Sequence, residues 1–275
     1  MKKIFSIVGV ITLMCFSFYY TDFAVNIIRN NDPIMKEIIR TKKNYEEKST
    51  DAVFSDSDVV PGIKGMKVDV EKSYINMKKY GKFNDSLLAF EGDEPKVSIN
   101  NIYDKYIKSG NKNSDRVSLV FKVMDDTNIE KIVDVLDSKN IKATFFIDKS
   151  IIDNSFDIVK LLNNSNHQIE YYSDTYTKKE VNKYKKKLGQ KISFCYLEKE
   201  NKNILTNCMN MKMHTIIPGI ITNNYPYSDI KINITNGDII SLNTSKNTLR
   251  ELKYIINYIK QHSYKIVKLN DLIKE

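Results

Sequence analysis

The sequence predicts an α/β fold built from parallel βαβ units. The stretch from Val117 to Tyr176 carries this prediction, because apolar segments of strand length alternate there with segments of helical periodicity. Strands that alternate with short helices are typical of a parallel sheet or barrel. With 275 residues, of which 41% are hydrophobic, the chain can form one sizeable domain and an additional module.

Five segments in chain order make up the central stretch. They are a strand over Val117–Phe121, a helix from about Asn128 to Ser138, a strand over Ile141–Ile147, a helix over Phe156–Asn163 and a strand over His167–Tyr172.

The following segments continue the same alternation. A lysine-rich helix is predicted over Lys178–Lys187, ended at Gly189, and a strand over Ile192–Phe194. The pattern is weakest between Leu197 and Asn236 and becomes clear again at the strand Asp238–Leu242. The last helix has Thr248 as its predicted N-cap, and the final strand covers Tyr264–Leu269. The apolar face of that helix consists of Leu249, Leu252, Ile255, Ile256 and Ile259.

The N-terminal residues 1–25 have the pattern of a membrane anchor. Lys2 and Lys3 precede an apolar run from Ile4 to Tyr20, which Phe23–Val25 extends. No small-residue cleavage site follows the run, so we expect an uncleaved signal-anchor rather than a cleaved signal peptide. Either form places the rest of the chain outside the cytoplasm, attached to the cell membrane by a single pass.

Two further regions lie between this segment and the main domain, which we expect over residues 113–275. Residues 26–58 are predicted to form a stalk or linker, with one amphipathic helix from Asn26 to Lys48. Residues 59–112 are predicted to form a small α+β module, with a helix over Glu71–Tyr80 that Gly81 ends. In the same module we expect a strand at Leu87–Phe90 and a helical turn at Asn101–Lys108.

The charge and the cysteines limit the classes of partner and compartment. A net charge of +9 suits anionic lipid, an anionic wall polymer or nucleic acid, but the lysines are spread through the chain, and we expect no nucleic-acid partner. The cysteines are Cys15, Cys195 and Cys208, too few for a disulfide framework. Cys195 and Cys208 are either a disulfide or two separate buried thiols.

Two short motifs carry a resemblance to a known family. Lys142–Phe146, preceded by Asn140–Ile141, and the segment Asn166–Ile169 after the next helix resemble the polysaccharide deacetylase (NodB-type) family. The resemblance covers about Arg116 to Glu275. It implies a distorted parallel β/α barrel with a metal at the carboxyl ends of its strands, where a bound water is activated by a base.

The positions that carry this chemistry in the family are filled by other residues here. Lys122 and Val123 stand where the family has two aspartates, one the base and one a metal ligand. Tyr172 and Tyr176 stand where it has two metal-binding histidines, and tyrosine is a poor zinc ligand near neutral pH. Neither the family's Arg-Pro pair near Phe194–Tyr196 nor its Leu-His-Asp at Asn243–Thr244 is present. The resemblance is therefore to a degenerate member, with no catalytic residue, metal ligand or cofactor assigned.

Other residues are weighed as substitutes for the lost ligands. Asp125 and Asp126 follow the first strand, and we interpret them as acids at a helix N-terminus. Glu170 and Asp174 form a possible two-carboxylate set for another metal. Among the histidines, His167 is interpreted as structural, His214 lies in the weakly patterned region, and His262 follows the last helix. A Cys195–His214 dyad has no geometric support, and no nucleophile elbow or phosphate loop occurs.

The predicted function is that of a membrane-anchored, extracytoplasmic deacetylase-like protein without metal-dependent activity. It is expected to bind a cell-wall glycan or an envelope protein, or to act as a scaffold at the cell envelope. Tyr171, Tyr172 and Tyr176 are expected to line the former site and stack on sugar rings, with core packing as the alternative. The alternative function is a divergent metal-dependent carbohydrate N-deacetylase, a hydrolase that uses Asp125, Asp126, Glu170 or Asp174.

Overall fold

The computed structural model describes the backbone of residues 2–275 and the side chains of residues 11–21 and 23–275. The predicted anchor starts at residue 1, which lies outside the described residues. The helices are α1 (Lys2–Asn31), α2 (Pro33–Thr41), α3 (Val70–Lys78), α4 (Ile129–Ser138), α5 (Lys149–Asn154), α6 (Phe156–Asn164), α7 (Lys178–Leu188), α8 (Lys202–Asn210), α9 (Pro226–Asn233), α10 (Lys246–Gln261) and α11 (Leu269–Ile273). The strands are β1 (Val53–Phe54), β2 (Asp58–Val60), β3 (Gly65–Asp69), β4 (Ala89–Asp93), β5 (Tyr106–Ile107), β6 (Arg116–Val123), β7 (Thr144–Asp148), β8 (Gln168–Tyr172), β9 (Phe194–Tyr196), β10 (His214–Ile216), β11 (Ile220–Ile221), β12 (Ile239–Asn243) and β13 (Lys265–Val267).

The chain forms two compact units, each made of two segments. One unit comprises Met1–Ser49 and Gly65–Asp93, and the other comprises Thr50–Lys64 and Glu94–Glu275. This division differs from the predicted boundaries at residues 58/59 and 112/113. The physical reason is that β2 pairs with β5 in a sheet of the larger unit. In addition, the side chain of Glu275 accepts hydrogen bonds from the backbone N–H groups of Gly62 and Ile99.

The smaller unit is built around a hairpin and two short helices. β3 and β4 pair antiparallel, and α2 and α3 contribute to a common apolar core. The predicted continuous helix from Asn26 to Lys48 is wrong, because α1 ends before Asp32 and α2 begins at Pro33. The carboxylate of Asp32 caps α2 by accepting from the backbone N–H of Ile34. The core residues of this unit are Ile34, Met35, Ile38, Val68, Tyr74, Met77 and Leu88.

The larger unit contains two sheets of mainly parallel strands. The first has the order β11-β12-β6-β7-β8, with β13 also paired to β6, and all of its pairs are parallel. The second has the order β1-β2-β5-β10-β9, in which only β1 and β2 pair antiparallel. The helical turn that the sequence suggested at Asn101–Lys108 is wrong in part, because Tyr106 and Ile107 form β5 between two parallel neighbours.

Alternating side chains divide the core of the larger unit into two layers. From β6, Val117, Leu119, Phe121 and Val123 belong to the cluster that also contains the buried faces of α4, α6 and α10. From the same strand, Val120 belongs to a second cluster with inward side chains of the other strands, including Phe146, Tyr196, Ile216 and Ile239. Strands therefore enclose one core and helices cover the other, which confirms the predicted distorted parallel β/α barrel.

The edge between β8 and β9 is closed by a side chain instead of a strand ladder. Glu170 of β8 accepts hydrogen bonds from the backbone N–H groups of Ser193 and Phe194, at 2.8 and 3.2 Å. The amide of Gln168 donates to the same carboxylate at 2.9 Å. One buried carboxylate thus provides the acceptors that a neighbouring strand would provide at this edge.

The weakly patterned region contains α8, β10, β11 and α9. It is joined to β9 by a disulfide between Cys195 and Cys208 of α8, with a Cα–Cα distance of 6.4 Å. The reading of these cysteines as separate thiols is therefore wrong. Two boundaries in the last thirty-odd residues also differ from prediction. Ser245 caps α10 in place of Thr248, and the final strand ends before Leu269, which begins α11.

Candidate functional site

A pocket of about 410 Å³ opens at the carboxyl ends of β6, β9, β11 and β12. The carboxyl ends of parallel strands are the usual location of sites in α/β folds, because the loops that follow the strands converge there. We call this pocket the barrel mouth. Its lining is Lys122, Met124, Asp125, Tyr196, Glu198, Ile221, Thr222, Asn223, Ser241, Leu242, Asn243, Thr244 and Ser245.

Lys122 is the charged residue that β6 contributes to the barrel mouth. Its Nζ lies 2.8 Å from Oε1 of Glu198 and 4.8 Å from the centre of the Tyr172 ring. Partial burial disfavours the ammonium, but the contacts with Glu198 and Tyr172 outweigh it and raise the pKa of Lys122 above its usual value. A permanent positive charge therefore stands where the family has its base, and it repels any metal cation nearby.

Val123 faces the opposite way from Lys122. It is fully buried in the cluster between the strands and the helices. Because successive side chains of a strand point to opposite faces, a residue at this position packs with the helices. Val123 has no donor atom and contributes only to packing.

The tyrosines at the expected histidine positions do not form a shared aromatic surface at the mouth. Tyr172 faces inward, and its hydroxyl donates to Asp174 at 2.7 Å. Tyr176 is fully buried, and its hydroxyl accepts from the backbone N–H of Tyr196 at 2.9 Å. Tyr171 is also fully buried and stacks on Tyr184 at 4.5 Å. The prediction that Tyr171 and Tyr176 line the site is wrong, because both complete the core.

The carboxylates weighed as substitute ligands are each engaged separately. Asp125 lines the mouth and accepts from the backbone N–H of Thr127 at 3.2 Å. Asp126 accepts from the hydroxyl of Ser155 at 2.5 Å, and Asp174 accepts from Tyr172. Glu170 closes the edge between β8 and β9, where burial raises the pKa of its carboxyl to about 7. Asp125 alone among these four belongs to the barrel mouth.

The three histidines lie away from the barrel mouth. His167 precedes β8, and its buried Nδ1 accepts from the backbone N–H of Ala143 at 3.2 Å. Burial lowers the pKa of His167 to about 4, so the ring is neutral and packs against Phe145. His214 begins β10 at the amino end of that strand, and His262 caps α10 next to Tyr258. The Cys195–His214 dyad is excluded, because Cys195 is in the disulfide.

Several polar groups of the mouth were not identified from the sequence. The hydroxyls of Tyr196 and Ser241 are 2.7 Å apart, which fixes the tyrosine across the barrel. The side-chain oxygen of Asn243 accepts from the backbone N–H of Ser245 and the hydroxyl of Thr248, and its NH₂ group forms no hydrogen bond among the described residues. Asn223 stands at the rim. Asn243 lies at a strand end, where the resemblance implies the Leu-His-Asp of the family, but Glu198 and Asn223 gave no signal in the sequence.

These residues do not fit the metal that the family resemblance implies. Among the residues with described side chains, no group of three or more His, Cys, Asp or Glu is arranged to hold a metal ion. The ion pair of Lys122 with Glu198 and the aromatic rings occupy the centre instead. The mouth presents amide, hydroxyl and ammonium groups, which suit hydrogen bonding to a neutral polar ligand.

Comparisons with known proteins identify relatives of the fold. Residues 109–231 match the family model of polysaccharide deacetylase. The uncharacterized protein YlxY of Bacillus subtilis (strain 168) is 28% identical over 151 residues, which are 54% of this chain and 47% of that protein. The match thus spans about half the length of this curated relative.

Solved structures share the fold at low sequence identity. Wild-type BA3943, a CE4 family pseudoenzyme from Bacillus anthracis, is 23% identical with a TM-score of 0.69, and the match covers 89% of this chain and 96% of that one. A mutant of BA3943 with restored enzymatic activity is 22% identical with a TM-score of 0.70, over 88% and 98% of the two chains. PdaA, a family 4 carbohydrate esterase of Bacillus subtilis, is 16% identical with a TM-score of 0.56, over 82% and 97%.

Proposed function

The chain carries a domain of the polysaccharide deacetylase family, and from this premise we propose that it is a glycan-binding protein of the cell envelope without metal-dependent activity. The observation that carries the proposal is the replacement of the base by Lys122 and of the metal-holding side chains by Val123, Tyr172 and Tyr176. Removal of an acetyl group from an amide needs a polarising metal and an ionised base, and these residues supply neither.

The barrel mouth supports a binding role because it remains open. A volume of about 410 Å³ is within the range of small-ligand clefts, which extends upward from roughly 300 Å³. The ammonium of Lys122 has three donors, and its contacts with Glu198 and Tyr172 leave at least one of them free, while the NH₂ group of Asn243 adds two more. Sugar hydroxyls and N-acetyl carbonyls are acceptors for such donors.

The proposed location is the outer side of the cell membrane, with α1 as the anchor. Within the described residues, Ile11–Asn31 of α1 is long and apolar enough to cross a membrane. Lys2 and Lys3 before this segment favour a cytoplasmic N-terminus. The Cys195–Cys208 disulfide supports the same location, since disulfides persist mainly in oxidising compartments.

The test is the binding of N-acetylglucosamine oligomers to the purified full chain, with acetate release measured in the same samples. We expect saturable binding without acetate release. Lys122→Met keeps the aliphatic packing on Tyr172 but removes the donors, and we expect it to weaken binding by about tenfold. Lys199→Met, an equivalent change at an exposed lysine outside the mouth, should bind like the parent.

Two results would contradict the proposal. Acetate release at a rate that follows enzyme concentration would show an active hydrolase, the divergent N-deacetylase considered above. Absence of oligomer binding by the parent chain, or equal binding by the Lys122→Met and Lys199→Met variants and the parent, would remove the barrel mouth as the glycan site.

A further inference from the structure

A second recessed surface lies at the amino ends of β9 and β10, the ends opposite to the barrel mouth. It consists of two adjoining concavities, of about 660 and 390 Å³, and Lys191 lines both of them. The larger follows the last turn of α7, and the smaller extends from His214 to Lys274. Because Lys191 lines both, the two concavities are neighbours, and we call them together the basic groove.

The basic groove carries an excess of free positive charge. Lys185, Lys186, Lys191 and Lys274 line it and are exposed, and none of them forms an ion pair among the described residues. Two other lysines of α7 differ, since Lys183 and Lys187 both pair with Asp153. Asp271 is the acidic residue of the lining. The four unpaired ammonium groups therefore lack the compensation that their neighbours have.

Neutral donors accompany these lysines. Asn182 lies between the lysines of α7, while Asn100 and Asn270 line the second concavity. His214 adds no charge at neutral pH, because burial, with a further effect of Lys191, lowers the pKa of its ring to about 4. The charge of the groove is thus that of the lysines, while the amides can bond to ester or hydroxyl oxygens.

The shape and the residue types together define the class of ligand. Four ammonium groups distributed over two neighbouring concavities suit a linear polyanion better than a single ion. Lysine ammonium groups are compact point charges that bind phosphate oxygens. Of the two rings in the lining, Phe194 is buried and the half-buried His214 packs against Tyr103, so neither offers an open face for a nucleobase. A recessed site is also a poor match to the flat surface of a bilayer.

We propose that the basic groove binds a soluble linear polymer that carries one phosphodiester in each repeating unit. The site lies at the other end of the barrel from the proposed glycan site and recognises a different chemistry. The test of this proposal does not depend on whether the barrel mouth binds a glycan.

The experiment measures the dissociation constant of the full chain, in detergent micelles, for fluorescently labelled poly(glycerol phosphate). The test variant is Lys185→Gln/Lys186→Gln/Lys191→Gln. The control is Lys131→Gln/Lys202→Gln/Lys253→Gln, which removes three exposed, unpaired lysines outside the groove and gives the same change in net charge. All six positions are on the surface, so folding is preserved in both variants.

The expected result is a loss of affinity by at least about tenfold in the test variant and little change in the control. The slope of log Kd against log salt should fall by about 2 in the test variant, since each lost phosphate contact removes about 0.7 for a single-stranded polyanion. Equal losses in the two variants would overturn the proposal, because the attraction would then come from net charge. The proposal would also be overturned if inorganic phosphate competed as well as unlabelled polymer at the same phosphate concentration. Binding to vesicles of anionic phospholipid, without binding to the polymer, would overturn it as well.

Discussion

The side chain of Lys122 determines the chemistry of the barrel mouth. A carboxylate at its position can serve as a base, but an ammonium that pairs with Glu198 and covers Tyr172 cannot. The sequence predicted this replacement, because Lys122 follows Phe121 at the end of the first strand, where the resemblance implies the family's base. It did not predict Glu198 as the partner, since 76 residues separate them in the chain.

Tyr176 shows why residue type alone is not enough to place a side chain. The residue has a positive φ of 48°, which turns its ring into the core beneath β9. Both a stacking surface and a core position suit a tyrosine, and the backbone conformation that decides between them is not visible in the sequence.

Tyr176→Phe should destabilise the larger unit, because the buried N–H of Tyr196 would lose its acceptor. We expect the free energy of unfolding to fall by about 1 to 3 kcal/mol, measured by urea denaturation. The control is Tyr254→Phe, at a tyrosine that is 63% exposed, and it should have no measurable effect. Equal stability of the two variants would show that the N–H of Tyr196 finds another acceptor.

At the scale of elements, local patterns identified the strands and helices with strong periodicity. β6, α4, α6, β8 and α10 were all located to within a few residues. The predictions failed where tertiary contacts determine the secondary structure. β5 forms because two strands flank it. Ser245 rather than Thr248 caps α10 because β12 ends two residues before Ser245. α8 and α9 lack a strong apolar repeat and were missed for that reason.

The junction of β8 with β9 depends on Glu170. Burial raises the pKa of its carboxyl to about 7, above the value of 4.5 for an exposed glutamate, so the folded state binds the proton more tightly than the unfolded state. Its contribution to stability is therefore complete below pH 4.5 and is lost as the pH rises through about 7.

The parent should lose about 1 to 3 kcal/mol of stability between pH 5 and pH 8 relative to Glu170→Gln, which does not titrate. Urea denaturation at a series of pH values measures the difference. Glu130→Gln, at an exposed glutamate of α4 without an ion pair among the described residues, serves as the control and should follow the parent. Parallel pH profiles for the parent and Glu170→Gln would contradict the assigned pKa.

The disulfide fixes α8 to β9 and closes a loop with a sequence separation of 13 residues. Reduction, or the variant Cys195→Ala/Cys208→Ala, should lower the free energy of unfolding by about 3 kcal/mol, the loop-closure value for this length. Denaturation with and without dithiothreitol provides the measurement. The double variant should itself be insensitive to dithiothreitol, and a parent that shows no response would argue against the pairing.

At the scale of the whole molecule, the chain combines an apolar helix, a small unit and a barrel. The barrel was predictable, because its βαβ alternation extends over most of residues 116–275. The sequence did not predict which segments form each of the two units, because each unit is assembled from two segments that are distant in the chain. Proteins of this architecture keep their fold when the residues at the strand ends change, because the core lies below the mouth.

The membrane prediction is tested by fractionation of cells. If the apolar segment Ile11–Asn31, which is long enough to cross a bilayer, is the proposed anchor, the full chain should stay in the membrane after a carbonate wash. A chain in which residues 1–31 are replaced by a cleavable signal peptide should be released in soluble form. Release of the full chain as a shorter soluble species would identify the segment as a cleaved signal instead.

The most direct test of the central claim is the metal content of the purified full chain after incubation with zinc and extensive dialysis, determined by elemental analysis. The ammonium of Lys122 and the packed tyrosines predict far less than one equivalent of zinc, with no acetate release. One equivalent of bound zinc per chain, together with acetate release that a chelator abolishes, would contradict the account.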